Sequence, residues 1–343
     1  MHVLLLQARE PISYGEESVG IKTLIKKVSV LLPGRGEIIE VPVILGNGIR
    51  GVLRDVLTYM FLNKVVEVAK NNNKDVEVDA RLFLLMLTGG VLRRREEAPI
   101  TARMIDALRR NVELIPPLNI MGFAIANVMV PSKIKVSTFY PICKETYGLV
   151  EDLINKIRTD LKIAKEIPLK KLVSEIQMMH KDDVSRFVNV LPQAIKVSNI
   201  DKVDTMRGGS LGISEGEESK KEVAKKREET SLQALFQREY ILPGTLYIGY
   251  ISEIVPLTTY EMELLKLAIE NISGLGGAIA RGFGSFRILY SDFAHIKEDS
   301  GPREEKESLG LRKFIENNLD EILNVLKTNP EEWLDSKTGS KSG

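Results

Sequence analysis

The stretch that decides the fold is Gly274 to Phe286, which reads GLGGAIARGFGSF. Apolar residues at helical spacing precede it, from Tyr260 to Ile272, and an alternating run of β-forming residues follows it, from Ser285 to Tyr290. A glycine-rich loop is therefore predicted to join a helix to a strand. Its five glycines can adopt positive φ angles and let another part of the chain approach closely.

This loop is a candidate anion site. Unpaired N–H groups in such a loop can form a concave nest for an anion, and Arg281 adds a cation that can bind phosphate through two donors. We therefore predict that a phosphate-bearing ligand lies across the loop. The alternative is a helix C-cap followed by a flexible turn, although five glycines are more than a cap requires. The order helix, loop, strand does not fit the dinucleotide fingerprint, and no Gly-Lys-Ser/Thr closes a Walker loop.

The composition is that of a globular chain with little net charge. Its 343 residues suggest two domains, or one domain with large insertions, and 43% hydrophobic residues are enough for a sizeable core. The 48 basic residues nearly balance the 47 acidic ones, so nucleic-acid binding would depend on local clusters. The single cysteine, Cys143, fits a reducing cytosol. Since neither a membrane-length apolar run nor a signal-peptide pattern is present, we expect a cytoplasmic protein without a membrane partner.

A group of lysines leads into a predicted strand from Val28 to Leu32. The segment before it, Glu10 to Gly20, contains a proline and two glycines and is predicted to be a loop. Such lysines can be an ordinary solvated face, or they can contact nucleic-acid phosphates, which fix position without reading sequence. Both alternatives stay open on the residues alone. The lysines are Lys22, Lys26 and Lys27.

Two arginines lie at the start of a helix predicted from Ile49 to about Val68, with Asn47 as its N-cap. Arg50 and Arg54 are one turn apart and so share a face. A helix N-terminus favours anions and disfavours additional cations. Arginines placed there suit a bound phosphate better than they suit helix stability. The alternative is that both pair with nearby acids such as Asp55.

The order of the remaining elements predicts an α+β fold, a ferredoxin-like or RRM-like βαββαβ core with large helical and flexible insertions. Sheets of this kind often present an open face to single-stranded nucleic acid. The helix start at Arg50 and the glycine loop occupy equivalent places in the two halves of the unit, so both could flank one groove. The predicted segments are a core from residues 1–60, 117–146 and 232–292, a helical insertion 61–116, a thumb-like, partly disordered insertion 147–231, and a C-terminal helix and tail 293–343.

Three sequence segments resemble the RAMP superfamily of CRISPR proteins. PGTLYIGYISEI, followed by a helix and GLGGAIARGFGSF, is similar to the C-terminal half of the family, and VPVILGNGIRGVLRD is similar to its strand-to-helix entry. The segment PPLNIMGFAIANVMVPSKIKVSTFYPICKET resembles the hairpin of backbone subunits in type I-D and type IV effector complexes. The chain thus resembles a backbone subunit of a Cascade-like complex.

This resemblance implies a non-catalytic protein, without metal or cofactor, that binds single-stranded guide RNA (crRNA) through its backbone. It also implies self-association along the RNA, contacts with other subunits of the effector complex, and contact with target nucleic acid through the guide. A thumb at about 196–227 would separate the bases, with Met206 and Arg207 at its tip. The other implied RNA-binding residues are Lys22, Lys26, Lys27, Arg50, Arg54, Gly274, Gly276, Gly277, Arg281, Gly282 and Gly284.

Three other functions stay open. Backbone subunits of type III complexes cleave target RNA with an aspartate in the loop after the first strand, where this chain has only Glu16 and Glu17. The crRNA-processing endoribonucleases of the superfamily use a histidine near the first helix, whereas the histidines here are His2, His180 and His295. A structural protein that does not bind nucleic acid is the third alternative. The group His180-Lys181-Asp182-Asp183 is predicted to be a surface turn and not a metal site.

Overall fold

The computed structural model describes residues 1–19, 22–32, 36–90, 101–125, 128–157, 163, 166–179, 196–198, 235–276, 282–292 and 309–334. The strands are β1 (His2–Ala8), β2 (Gly15–Val19), β3 (Lys22–Ile25), β4 (Lys27–Leu31), β5 (Ile38–Pro42), β6 (Glu77–Asp79), β7 (Phe123–Ile125), β8 (Val128–Val130), β9 (Ile134–Val136), β10 (Tyr140–Pro141), β11 (Val173–Met179), β12 (Lys196–Ser198), β13 (Leu235–Ile241), β14 (Leu246–Glu253) and β15 (Phe286–Ser291). The helices are α1 (Gly46–Asn71), α2 (Ala80–Thr88), α3 (Ala102–Glu113), α4 (Pro116–Met121), α5 (Tyr147–Ile154), α6 (Thr259–Asn271) and α7 (Leu309–Lys327).

The central sheet is antiparallel and has the strand order β10-β14-β1-β15, with β9 also paired to β14. Leu4 of β1 lies opposite Gly249 on one side and opposite Ser291 on the other. Along the chain, α1 lies between β1 and the two short strands β9 and β10, which both pair with β14. α6 lies between β14 and β15. This is the arrangement of a ferredoxin-like βαββαβ unit, so the predicted α+β fold is confirmed.

Helices pack on one face of this sheet because alternate residues of β1 are apolar on that face. Leu4 and Leu6 share a buried cluster with Leu53 and Leu57, which are one turn apart on α1. α6 and α7 contribute to the same cluster. Burying a leucine side chain stabilises a fold by about 1.5–3 kcal/mol, so this face of α1 anchors the helix on the sheet and fixes where its first turn lies.

The other face of the sheet is covered, contrary to the expectation of an open sheet. Val3, Leu5 and Ile248 are completely buried and cluster with Val150 of α5. Both faces of β1 are therefore apolar, and α5 follows β10 closely enough to fold back over the second face. Where α5 packs, this face of the sheet is therefore not open to a ligand.

A second sheet has the order β11-β13-β3-β2. β2, Gly15–Val19, lies in the segment predicted to be a loop, so that prediction is wrong for these residues. The strand is short and bulged where it pairs with β3, which explains its weak signal. β13, from the predicted core segment, pairs along its whole length with β11 from the predicted thumb segment, so the two segments share one sheet.

The helix that carries Arg50 and Arg54, α1, begins three residues earlier than predicted, at Gly46, and it runs on to Asn71. Its N-cap is Leu45, which offers no side-chain hydrogen bond, so the prediction of Asn47 as the cap is wrong. In the predicted helical insertion, α2 is capped by Asp79 and α3 by Thr101, and both side chains accept hydrogen bonds from backbone N–H groups. Among the described residues, no helix is long and apolar enough to span a membrane.

Candidate nucleic-acid interface

The glycine-rich loop leaves α6 and returns to β15 through hydrogen bonds between its own ends. The N–H of Leu275 donates to the carbonyl of Gly284 at 2.8 Å, and the N–H of Phe286 donates to that of Ser273 at 3.0 Å. Gly276, Gly282 and Gly284 have φ angles of 87°, 77° and 83°, a region in which side chains are strained. The glycines at these positions are therefore required by the backbone itself.

The loop packs against the segment that follows β1. The N–H of Gly284 donates to the carbonyl of Pro11 at 2.8 Å, and the N–H of Arg9 donates to that of Ser285 at 2.9 Å. A Cβ atom on Gly276 would lie 2.6 Å from the carbonyl oxygen of Ser13. The donors of Leu275, Gly284 and Phe286 are thus used within the chain, so an anion nest would have to come from other loop residues.

The same segment also contacts the start of α1. A Cβ atom on Gly48 would lie 2.7–2.8 Å from the Tyr14 ring, at Cε2, Cζ and the hydroxyl oxygen. Tyr14 is partly buried, and burial raises the pKa of its phenol. Tyr14 therefore lies between the helix start and the glycine loop, the two elements predicted to flank one groove. Tyr14 was not predicted from the sequence as a site residue, although it is an aromatic residue next to a glycine in the segment after β1.

Arg54 is an interior residue. Its side chain donates to the carbonyl oxygen of Gly122 at 3.0 Å and to that of Met121 at 3.4 Å, and the residue is 9% exposed. Burial, and then the charge of Arg50, lower the pKa of its guanidinium to about 10, so it remains charged at neutral pH. Its predicted role as a groove cation does not fit this position, because the donors face the protein interior.

Arg50 is partly buried and makes similar contacts. It donates to the carbonyl of Met121 at 2.9 Å, to that of Ile134 at 3.2 Å and to the hydroxyl of Ser132 at 3.3 Å. Desolvation lowers its pKa. The two arginines therefore tie α1 to the turn after α4 and to β9. The alternative prediction, that both arginines pair with nearby acids, does not account for these contacts, since most of the partners are backbone carbonyls.

The lysines lie on β3 of the second sheet and on β4, which pairs with β5, and they face carboxylates. Lys22 Nζ lies 2.5 Å from Glu175 Oε1 and 3.7 Å from Glu239 Oε1. Lys27 Nζ lies 3.2 Å from Glu239 Oε2. Glu239 is only 7% exposed and also accepts from the N–H of Ile25 at 3.3 Å. Lys22 and Lys27 are partly exposed cations, and the neighbouring glutamates balance their charge. The hydrogen bond to Glu175 raises the pKa of Lys22.

Several predicted site residues lie outside the described residues. They are Gly277 and Arg281 in the glycine loop, His180, and the predicted thumb from 199 to 227 with Met206 and Arg207 at its tip. Glu16 and Glu17 lie in β2, and His2 lies 3.7 Å from Glu253 at the far end of β1. Within the described part of the chain, no three His, Cys, Asp or Glu residues form a group that could hold a metal ion.

These observations define a ferredoxin-like protein whose glycine-rich loop closes against the segment after its first strand. A family model described as the RAMP superfamily matches residues 25–287. Because this match covers well over half of the chain, the protein belongs to the RAMP superfamily, as the sequence motifs predicted.

Two solved structures are similar to the chain. One is a chain of a type IV-B CRISPR complex, with 15% identity and a TM-score of 0.44, over 88% of this chain and 94% of that one. The other is Csc2 of Thermofilum pendens, with 14% identity and a TM-score of 0.36, over 95% of this chain and 79% of that one. No curated protein matches the sequence.

Proposed function

We propose that the protein is a backbone subunit of a CRISPR effector complex that binds guide RNA without cleaving it. Membership of the RAMP superfamily over residues 25–287 carries this proposal. The subunit would hold single-stranded RNA by its phosphates, associate with further copies along the RNA and contact other subunits of the complex. Target nucleic acid would be reached only through the guide.

The RNA would run along the junction of the start of α1, the segment after β1 and the glycine loop. The first turn of α1 contains no acidic side chain, which leaves its N-terminus favourable to a phosphate. Among the described residues, none would lie within 4 Å of a Cβ atom on Gly282, which leaves room for a ligand on this side of the loop. The lysines on β3 and β4, and Lys26 between these strands, would contribute positive charge beside this path.

Phosphate contacts suit a protein that must accept any guide, because they carry no sequence information. In this proposal Lys22, Lys26, Lys27 and Arg281 are the cations that reach phosphate. Arg50 and Arg54 are left out, because their donors face carbonyls within the fold. Each lysine that neutralises a phosphate releases counterions, so binding should weaken steeply as salt is raised.

The test is an anisotropy titration with a labelled single-stranded RNA of arbitrary sequence, across a salt series and with Mg²⁺ or Mn²⁺ present. Lys26→Ala and Arg281→Ala should weaken binding, and wild-type protein should leave the RNA intact. Lys74→Ala is the matched control, because Lys74 lies beyond the far end of α1, where it pairs with Asp320. α1 has 26 residues, so its ends are about 40 Å apart.

Four results would count against the proposal. Metal-dependent cleavage that Glu16→Gln or Glu17→Gln abolishes would favour the target-cleaving alternative, and metal-independent cleavage would favour a processing endoribonuclease. An affinity that does not depend on salt would argue against phosphate contacts. No binding in the isolated chain or in the complex assembled on RNA would leave the structural-protein alternative.

A further inference from the structure

The segment Ile12 to Tyr14 is held from three sides. Ile12 exchanges backbone hydrogen bonds with Ile241 of β13, at 3.1 and 2.8 Å. The carbonyl of Tyr14 accepts from the N–H of Lys26 at 2.8 Å, where β3 passes into β4. Gly276 packs against the carbonyl of Ser13 on the side of the glycine loop. The backbone that carries the Tyr14 side chain is therefore fixed by the second sheet, by the connection between β3 and β4, and by the glycine loop.

The ring itself rests on the first turn of α1. Gly48 is the contact point, since its missing Cβ leaves the space that the ring occupies. In the part of the chain that the structure describes, no atom would lie within 4 Å of a Cβ atom on Gly51, one turn further along, so glycine there serves no comparable contact. Tyr14 is only partly buried, its ring lies against Gly48 at the start of α1, and its carbonyl is bonded to Lys26.

We infer that Tyr14 is a stacking platform for a base of the bound single-stranded RNA, an inference that rests on the proposed function. Phosphate contacts position an RNA chain but leave its bases unheld. An aromatic ring fixed in place supplies the missing contact, because every base has a π-face and stacking tolerates any sequence. A ring that is already immobilised against Gly48 loses little conformational freedom when a base stacks on it.

A purely structural role predicts a different pattern of effects. Tyr14 also touches the edge of the main apolar cluster, so a ring that only covers the core could be replaced by leucine with little change in RNA affinity. A stacking ring cannot be replaced in that way. Phenylalanine would keep the stacking surface and remove only the hydroxyl.

The experiment measures RNA affinity together with the fluorescence of 2-aminopurine placed at successive positions of the RNA, since stacking quenches this base. Tyr14→Leu should weaken binding by about 5-fold to 100-fold and relieve the quenching at one position. Tyr14→Phe should stay within about 2-fold of wild type, with the quenching kept. Tyr59→Leu is the matched control, because Tyr59 is 37% exposed and lies on α1 away from its start.

Gly48→Ala and Gly51→Ala repeat the test without removing the ring, and they also serve if Tyr14→Leu does not fold. Both add one methyl group to the same helix, and both gain the same helix propensity. Only Gly48→Ala displaces the Tyr14 ring, so it should reduce both affinity and quenching, whereas Gly51→Ala should change neither.

Three outcomes overturn the inference, and they distinguish a failed platform from a failed proposed function. If wild type binds RNA while Tyr14→Leu binds equally well with the same quenching, the platform is refuted and the proposed function stands. Equal effects of Gly48→Ala and Gly51→Ala refute it in the same way. If the wild-type protein, alone and in its complex, does not bind RNA, the proposed function fails and the platform fails with it.

Discussion

Two groups of cations, both predicted from sequence to line one groove, differ in what they contact. The guanidinium of Arg54 is buried and donates to the carbonyls of Met121 and Gly122. The ammonium groups of Lys22 and Lys27 retain 31% and 34% side-chain exposure and face carboxylates. The arginines bind fixed backbone, and the lysines bind side chains that can move.

This difference follows from the chemistry of the two side chains. A guanidinium presents several donors in a rigid plane and is weakly hydrated, so it can satisfy several carbonyls in the interior. An ammonium is strongly hydrated and stays at the surface, where a phosphate can replace a carboxylate as its partner. The arginines should therefore matter for stability and the lysines for RNA.

The largest effect should come from Arg54→Met. This change keeps the volume of the side chain but leaves the carbonyls of Gly122 and Met121 without these donors, so the free energy of unfolding should fall by about 2–4 kcal/mol. Urea unfolding followed by circular dichroism measures this value. RNA affinity of the folded protein should not change.

Arg312→Met is the control for the loss of an arginine as such. Arg312 is partly exposed and pairs with Glu316 at 2.9 Å, and a surface pair of this kind contributes about 0–1 kcal/mol. If Arg54→Met instead stays stable and loses RNA binding, the two groups of cations do not differ as described. Arg54 would then be an RNA-binding residue, as predicted from the sequence.

Glu239→Gln should give the next largest effect. Glu239 is 7% exposed, and its carboxylate neutralises Lys22 on β3 and Lys27 on β4. Glutamine can still accept from the N–H of Ile25 but leaves two cations without this counter-charge, so unfolding should become easier by about 1–3 kcal/mol. Thermal and urea unfolding measure the loss. A variant as stable as wild type would mean that the lysines find other partners.

The core of the fold could be predicted from the sequence because its signals are local. The spacing of apolar residues in α1 and α6, the alternation in β14 and β15, and the glycines between α6 and β15 all lie within short windows. The second sheet could not be predicted in this way. Its β3 and β13 pair across more than 200 residues, and β2 lies among turn-forming residues.

The site was predictable in its elements but not in its side chains. The two halves of the βαββαβ unit predicted that the α1 start and the glycine loop flank one groove, and in the structure both contact the segment after β1. The role of Gly48 depends on Tyr14, and that of Arg54 depends on carbonyls near Gly122, both of which are distant in the chain. No local pattern distinguishes a cation that binds phosphate from one that binds a carbonyl.

The lysine side of the comparison is tested by the double variant Lys22→Ala with Lys27→Ala. If each lysine neutralises one phosphate, the slope of log affinity against log salt should become shallower by about 1.4–1.8 in total, and affinity at low salt should fall about tenfold or more. Lys74→Ala, at the other end of α1, should leave the slope unchanged. An unchanged slope in the double variant would place the RNA elsewhere.

The smallest effect should come from Glu175→Gln, which removes the carboxylate that lies 2.5 Å from Lys22 and leaves Glu239 in place. With less competition for its ammonium, Lys22 should bind phosphate more readily, so RNA affinity should rise about 2-fold to 5-fold, a gain of the size expected for one exposed ion pair.

The pH dependence of unfolding gives an independent readout. Glu175 is the main cause of the raised pKa of Lys22, so the stability from this pair is complete below the ordinary value of 10.5 and is lost as the pH rises through the folded-state pKa. The variant should show less of this alkaline loss. Glu316→Gln, which breaks a comparable exposed pair with Arg312 on α7, is the control for RNA affinity. Weaker RNA binding by Glu175→Gln would contradict the view that the glutamates occupy the positions that phosphates take.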